Sequence, residues 1–255
     1  MAFDEWLLGR ALATPGWTAL RLYTWARPTI TFGVNQRAES ALDFARLGNT
    51  PAIRRVTGGR ALLHQRSELT YCVVTRPPGT GETDRRWSRS IGAAHAAVAE
   101  GLVAFLKSLG IESNYAHTSS RENSRRDFFH KAPCFASHAR HEVFGPHGKV
   151  VASAARRLEG AILMHGAIKI AGVADHPALP LAGVDRASAQ VDTAVSDKRF
   201  AEFCDRFGSA LGFALGVSVA AAELRPSESE QILRAAEFVR KNELARRTIF
   251  EQIAL

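Results

Sequence analysis

The 255-residue chain is poor in cysteine, methionine, lysine and aromatic side chains. Its three cysteines, Cys72, Cys134 and Cys204, are too few for a disulfide framework and form no CxxC pair, so we expect reduced thiols. No apolar run approaches the ~20 residues that a membrane-spanning helix needs. The first residues place acids before apolar side chains, unlike a signal peptide, so a cytoplasmic location is the default expectation.

Lysine is scarce even though the chain is strongly basic. Of 33 basic residues, 27 are arginine and 6 are lysine, and the net charge is +8. A surface of this sign attracts acidic partners. Because no zinc-finger, helix-turn-helix or RNP pattern accompanies the charge, nucleic acid and membrane are not the expected partners. A lysine inside an apolar motif, by contrast, deserves a functional interpretation.

The pattern of apolar residues predicts a mixed α/β fold. Strand-like runs lie on both sides of a long helix, which Ser88 is expected to cap and which should end at Gly110. A hairpin is predicted to join two further strands over 160–164 and 167–171, and the last third of the chain is helical. We expect one domain over 1–255, with mixed sheets flanked by helices and no separate C-terminal accessory domain.

The most informative segment is RRVTGGRALLH, which runs from Arg54 to His64. Two glycines after a strand, Gly58 and Gly59, allow the backbone to approach a ligand closely. Arg54 and Arg55 precede them and could meet a phosphate or carboxylate group. The segment has neither GxGxxG spacing nor the ending of a P-loop, so a plain tight turn remains an alternative. His64 fits an ordinary half-buried histidine.

A second segment combines Cys134 with Lys149 fifteen residues later. Basic surroundings favour the thiolate form of a cysteine, which is the nucleophilic form. Lys149 heads an apolar strand, where its ammonium could hold a carbonyl or phosphate oxygen; the alternative is a lysine on an edge strand that discourages aggregation. Four histidines near Cys134 fit no familiar zinc-ligand spacing, so no metal site is expected.

Together these motifs resemble the lipoate/biotin protein ligase superfamily. The resemblance runs from Phe3 to about residue 172 and includes RRVTGGRALLH, PCF around Cys134, KVVASAARR from Lys149 and MHGAI from Met164. Within the superfamily, the T-G-G-R-A-x-L-H form and the position of Cys134 are most similar to octanoyltransferases that use a cysteine nucleophile. The resemblance implies the catalytic-domain fold of the biotin and lipoate protein ligases.

The resemblance also implies a mechanism and a set of site residues. An octanoyl group on acyl carrier protein would pass to Cys134 as a thioester, with Lys149 against the acyl carbonyl. A lysine of a lipoyl-domain protein, such as glycine-cleavage H protein or the E2 subunit of a 2-oxoacid dehydrogenase, would then take the acyl group without ATP or metal. The implied substrate-binding residues are Arg55, Thr57, Gly58, Gly59, His64, Ser153, Ala154 and His165.

Three other functions remain open on the sequence. An ATP- and Mg-dependent lipoate protein ligase would form lipoyl-AMP and use Arg54, Arg55 and the glycine turn around the phosphate. A lipoyl or octanoyl amidotransferase would also use Cys134, and a non-catalytic homologue would only bind acyl groups. Ala152 stands where the family normally has glycine, which leaves the preferred acyl length open. A monomer is the default expectation.

Overall fold

The computed structural model describes residues 1–76, 90–116, 141–146, 148–170, 176–179 and 195–241. Its helices are α1 (Ala2–Ala13), α2 (Ala38–Ala41), α3 (Ile91–Ser108), α4 (Asp197–Leu215) and α5 (Pro226–Lys241). Its strands are β1 (Thr18–Tyr23), β2 (Thr29–Phe32), β3 (Ala52–Arg54), β4 (Leu62–His64), β5 (Leu69–Thr75), β6 (Asn114–Tyr115), β7 (Val143–Gly145), β8 (Gly148–Leu158) and β9 (Ala161–Ile168).

The strands form two sheets of different size. The larger sheet has the order β1-β5-β9-β8-β7-β6, and every neighbouring pair in it is antiparallel. The smaller sheet has the order β3-β2-β4, with β2 parallel to β3 and antiparallel to β4. The predicted class, mixed sheets flanked by helices, is therefore confirmed.

Strand β5 is buried along its whole length because both faces of the large sheet are covered. Tyr71 and Val73 pack with α3 and α4 on one face, whereas Cys72 and Val74 pack with α1 on the other. Successive side chains of a strand point to opposite faces of the sheet, so a strand covered by helices on both faces buries all of its side chains. The smaller sheet has a separate apolar cluster around Ile30.

The hairpin predicted between 160–164 and 167–171 is wrong. Residues 161–168 form the single strand β9, and Gly166 lies within it because a Cβ there would be 2.7 Å from Tyr71 Cε1. Glycine here serves close packing, not a turn. The real hairpin turn is formed by Glu159 and Gly160, whose φ angles are 45° and 85°. Two positive φ values in a two-residue loop are typical of a type I′ turn.

Helix α3 begins at a different cap from the predicted one. Ser90 Oγ accepts a hydrogen bond of 3.0 Å from the Ala93 amide, while Ser88 lies outside the described residues. By length and composition α3 is apolar enough to cross a membrane. In this structure seven of its residues, including Leu102 and Phe105, are buried in the core against the large sheet and α4.

The crossing of α3 and α4 depends on Gly101. A Cβ at this position would lie 2.9 Å from Leu211 Cδ1 and 3.2 Å from Leu211 Cα.

We expect Gly101→Ala to lower the free energy of unfolding, because overpacking costs about 1–3 kcal/mol against a helix-propensity gain of at most about 1 kcal/mol. Gly9→Ala in α1 meets nothing within 4 Å and should be stabilising. Urea unfolding of both variants tests this; equal shifts would contradict the packing argument.

Candidate acyl-binding cleft

A narrow cleft, partly open to solvent, lies between the two sheets. Its floor is formed by neighbouring residues of β5, β8 and β9 in the large sheet. Its roof is formed by the turn after β3 together with the first and last residues of β4. The lining is mostly apolar, with small side chains on the floor. Met1 also lines the cleft; the roof residues are Arg55, Gly59, Leu62 and His64, and the floor residues are Thr70, Ala152, Ser153, Ala154, His165, Gly166 and Ala167.

The buried guanidinium of Arg55 holds the glycine turn in place. Its Nη2 donates to the carbonyl oxygens of Gly58 (3.0 Å) and Arg60 (2.9 Å), and its Nη1 donates to Thr31 Oγ1 (2.8 Å). A guanidinium carries donors only, so carbonyl oxygens turned inward satisfy it well. The turn between β3 and β4 is therefore fixed from the inside by a buried charge.

Arg54 plays a comparable part in the neighbouring loop. Its Nη1 lies within 3.4 Å of the carbonyl oxygens of Gly33, Val34 and Gln36, and its guanidinium stacks on the ring of Phe32. Both arginines that could have met a phosphate or carboxylate thus bind the protein's own backbone in this structure.

Close approach of two backbone segments explains the glycines of the roof. A Cβ at Gly33 would lie 2.1 Å from the carbonyl oxygen of Gly59, so only glycine fits there. Gly59 itself has a φ of +90°, which side chains rarely adopt. A Cβ at Gly58, by contrast, would meet nothing within 4 Å, and the Gly58 carbonyl accepts a hydrogen bond from Arg55.

His64 belongs to a fully buried polar network. Its Nδ1 lies 2.5 Å from Glu68 Oε1, and its Nε2 lies 2.7 Å from Thr31 Oγ1, while the indole of Trp25 stacks on the imidazole at 4.2 Å. Because the Glu68 carboxylate only accepts, we assign the Nδ1–H tautomer to His64, with Thr31 donating to Nε2. This histidine is buried, not half-buried as predicted.

Glu68 is the carboxylate on which this network converges. It also accepts from Thr70 Oγ1 at 2.8 Å and forms an ion pair with Lys169 Nζ, which donates to the Leu63 carbonyl as well. Burial alone would raise the pKa of Glu68, but the opposing charges and hydrogen bonds of His64 and Lys169 lower it. Burial lowers the pKa of His64 despite Glu68, so the ring is neutral near pH 7.

A second buried chain of contacts reaches the cleft through His165. Its Nδ1 lies 3.2 Å from Asp4 Oδ2, and its Nε2 lies 2.6 Å from Thr57 Oγ1. Burial lowers the pKa of His165, although Asp4 opposes the shift. Burial would raise the pKa of Asp4, but His165 and the nearby positive charges, Arg21 among them, hold it well below its usual range. Thr57 is fully buried behind the cleft wall.

Lys149 lies at the start of β8, where the strand carries a bulge. Val143 pairs with Val151 and Phe144 with Lys149, so one extra residue enters β8 between them. Bulges re-aim side chains next to functional sites. Lys149 is 8% exposed, and its Nζ lies 2.5 Å from Glu142 Oε1. Because β8 lies between β9 and β7, the interpretation of Lys149 as an edge-strand lysine is wrong.

The structure brings most of the expected substrate-binding residues to one place. Six of them line the cleft, namely Arg55, Gly59, His64, Ser153, Ala154 and His165. Thr57 and Gly58 lie in the same roof turn, behind His165 and beside Arg55. Lys149 heads the floor strand but is not among the lining residues, and Cys134 lies outside the described residues.

Sequence reasoning gave no role to three buried ionic residues that support the cleft. Asp4 and Glu68 lie within the stretch over which the family resemblance runs, but the sequence predicts for neither that it anchors a histidine. Lys169 was missed altogether. Its signal was available, since it is one of only 6 lysines and follows directly on an apolar strand.

The fold is that of solved lipoate protein ligases. A lipoate-protein ligase A bound with ATP has a TM-score of 0.64 and 18% identity, covering 91% of this chain and 86% of that one. A bi-partite lipoate protein ligase from Thermoplasma acidophilum has a TM-score of 0.59 and 18% identity, covering 91% and 84%. At such low identity the likeness concerns the fold alone.

The chain belongs to the lipoyl protein ligase A/B catalytic domain family, whose profile matches residues 1–196. Similar curated proteins are named octanoyltransferase LipM. Those of Clostridioides difficile and Carboxydothermus hydrogenoformans are each 36% identical, over 66% and 67% of this chain. That of Kyrpidia tusciae is 38% identical over 58% of it. The matches cover 59%, 60% and 53% of these relatives' own lengths, so the chain spans less than two thirds of each.

Removal of Lys169 should destabilise the protein strongly. Lys169→Met leaves the buried Glu68 carboxylate without its ammonium partner, and breaking a buried pair typically costs about 3–5 kcal/mol. Lys107→Met at the exposed end of α3 is the matched control and should change stability by less than about 0.5 kcal/mol. Urea unfolding at pH 7 measures both, and similar values for the two variants would refute the role of the pair.

The pKa shifts predict that acidification destabilises the fold. His64 and His165 have native pKa values below the ordinary 6.5. Below that pH the unfolded chain therefore binds more protons than the native state, and the free energy of unfolding falls. Glu68 and Asp4, with lowered pKa values, add a further loss below about pH 4.5. Urea unfolding between pH 7.5 and 5 should show a steadily falling stability, and His165→Gln should flatten part of this slope. Constant or rising stability would contradict the assignments.

Proposed function

We propose that this protein is an octanoyltransferase of lipoate biosynthesis. The observation that carries the proposal is the narrow, alanine-lined cleft whose floor strand begins at the buried Lys149. Such a cleft suits a linear acyl chain with its reacting carbonyl at the lysine end. The similarity to proteins named octanoyltransferase LipM, at 36–38% identity, supports the same substrate class.

The proposed reaction proceeds in two acyl transfers. The Cys134 thiolate attacks the thioester carbonyl of octanoyl-acyl carrier protein, and the carrier's thiolate leaves. The neutral ε-amine of a lysine on a lipoyl-domain protein then attacks the enzyme thioester, Cys134 leaves as thiolate, the nitrogen gives up one proton to solvent, and an amide is formed. Lys149 would hold the acyl carbonyl and stabilise the negative charge that develops on its oxygen.

The energetics of the reaction require no nucleotide, because the incoming thioester is already activated. The roof supports this choice over an ATP-dependent ligase, since Arg54 and Arg55 bind backbone carbonyls. We therefore propose that neither ATP nor a metal ion takes part.

The net charge of +8 suits acidic carrier and lipoyl domains as donor and acceptor. We place the reaction in the cytoplasm and propose that the chain acts as a single catalytic unit.

Intact-mass spectrometry after mixing with octanoyl-acyl carrier protein, without ATP, tests the proposal. We expect a mass gain of one octanoyl group that hydroxylamine removes. Cys134→Ala should abolish the adduct, whereas Cys204→Ala on α4 should leave it unchanged, because that thiol lies outside the cleft. Lys149→Met should slow adduct formation about 100-fold or more, with Lys107→Met as its control.

Other outcomes identify the other functions. Lipoyl-domain acylation that needs lipoate and Mg-ATP would make the protein a ligase. Acylation only from an already octanoylated protein would make it an amidotransferase. Binding of acylated partners with no transfer from any donor would leave a non-catalytic homologue.

A further inference from the structure

The roof and floor of the cleft come together at one point. A Cβ built on Gly59 would lie 3.6 Å from the Ala154 methyl and 3.1 Å from Arg55 Nη2. The main chain of the roof turn therefore lies over Ala154, at a distance where a methyl group on Gly59 would make ordinary van der Waals contact with the Ala154 methyl. Ala154 and its partner His165 are the cleft-lining pair farthest from Lys149 along the floor strands, so this contact lies at that end of the cleft.

Neither side of this contact can easily move. On the roof, the carbonyls flanking Gly59 accept hydrogen bonds from the buried Arg55. On the floor, Ala154 pairs with His165, whose ring is held by Asp4 and Thr57. Preorganised polar contacts on both sides restrain this end of the cleft, so we expect its shape to adapt little to a longer ligand.

The other end of the floor leads toward Lys149. Ala152 on β8 pairs with Ala167 on β9. This pair lies on the same face of the sheet as Ala154 and is two residues closer to Lys149 along β8. Ala154 lies five positions after Lys149, which corresponds to about 16 Å of strand. An acyl chain with its carbonyl near Lys149 would pass over Ala152 and point its methyl end at Ala154.

We propose that Ala154, opposed by Gly59, is the residue that limits the length of the acyl chain. This inference rests on the proposed acyl transfer and adds to it the device by which one chain length is selected. The methyl group of Ala154 acts as an end wall: its removal opens space beyond the terminal carbon of the substrate, and its enlargement takes space away.

The test compares hexanoyl-, octanoyl- and decanoyl-acyl carrier protein as donors, with transfer rates to a lipoyl domain measured for each. Ala154→Gly should raise the decanoyl-to-octanoyl ratio of kcat/KM about tenfold, because one or two methylene groups in a closed pocket discriminate by this order. Ala154→Val should lower the octanoyl rate while hexanoyl transfer is retained. The wild-type ratio for each pair of donors is the reference.

The control is the neighbouring residue on the same strand. Ala155 pairs with Met164 and packs toward the core on the opposite face, so Ala155→Gly and Ala155→Val carry the same strand-propensity effects without touching the cleft. These variants should keep the wild-type donor preference. A change of preference in the Ala155 variants as large as in the Ala154 variants would overturn the proposal.

The outcomes separate this inference from the function on which it rests. No transfer by the wild-type protein from any donor would refute the proposed function. Transfer with an unchanged donor preference in Ala154→Gly would refute the end wall alone. Because Ala154→Gly removes atoms and leaves the roof untouched, it decides the question even if Ala154→Val fails to fold.

Discussion

The Arg55 guanidinium is the constraint on which the cleft depends. A buried cation must be satisfied by acceptors, and here the acceptors are the Thr31 hydroxyl on β2 and the carbonyls of Gly58 and Arg60 in the roof turn. Through this one side chain the turn is tied to the smaller sheet. The backbone of this turn lies so close to the loop after β2 that glycine is required at position 33, and the positive φ of the turn favours glycine at position 59.

Buried ion pairs extend this rigidity to the floor. Glu68 binds Lys169 and His64, Asp4 binds Arg21 and His165, and Glu142 binds Lys149. Buried pairs of this kind add little net stability, since desolvation offsets much of the attraction. Their contribution is geometric, because a charge that has only one good position holds its neighbours there. A site that must align an acyl carbonyl benefits from such preorganisation.

The sequence predicted the fold class and much of the cleft because local signals were strong. The glycine turn after a strand and the apolar run from Lys149 both identify structure within a few residues. The failures have a different origin. The sequence around Gly166 predicts a turn, whereas glycine is needed there because the Tyr71 ring approaches from another strand. A contact with a distant residue leaves no signal in the neighbouring sequence. The pairings of Asp4 with His165 and of Lys169 with Glu68 join residues more than 100 positions apart.

The arrangement of the two arginines bears on the choice between thioester and nucleotide chemistry. A ligase that activates a carboxylate needs cations free to meet phosphate, whereas a transferase needs a roof that is stiff and closed. Arg54 and Arg55 bind the backbone of the loops that form this roof. Their charges make the glycine turn rigid, and a rigid turn over alanine side chains fits a chain of fixed length. In the proposed transferase, these contacts would hold the roof over the acyl chain.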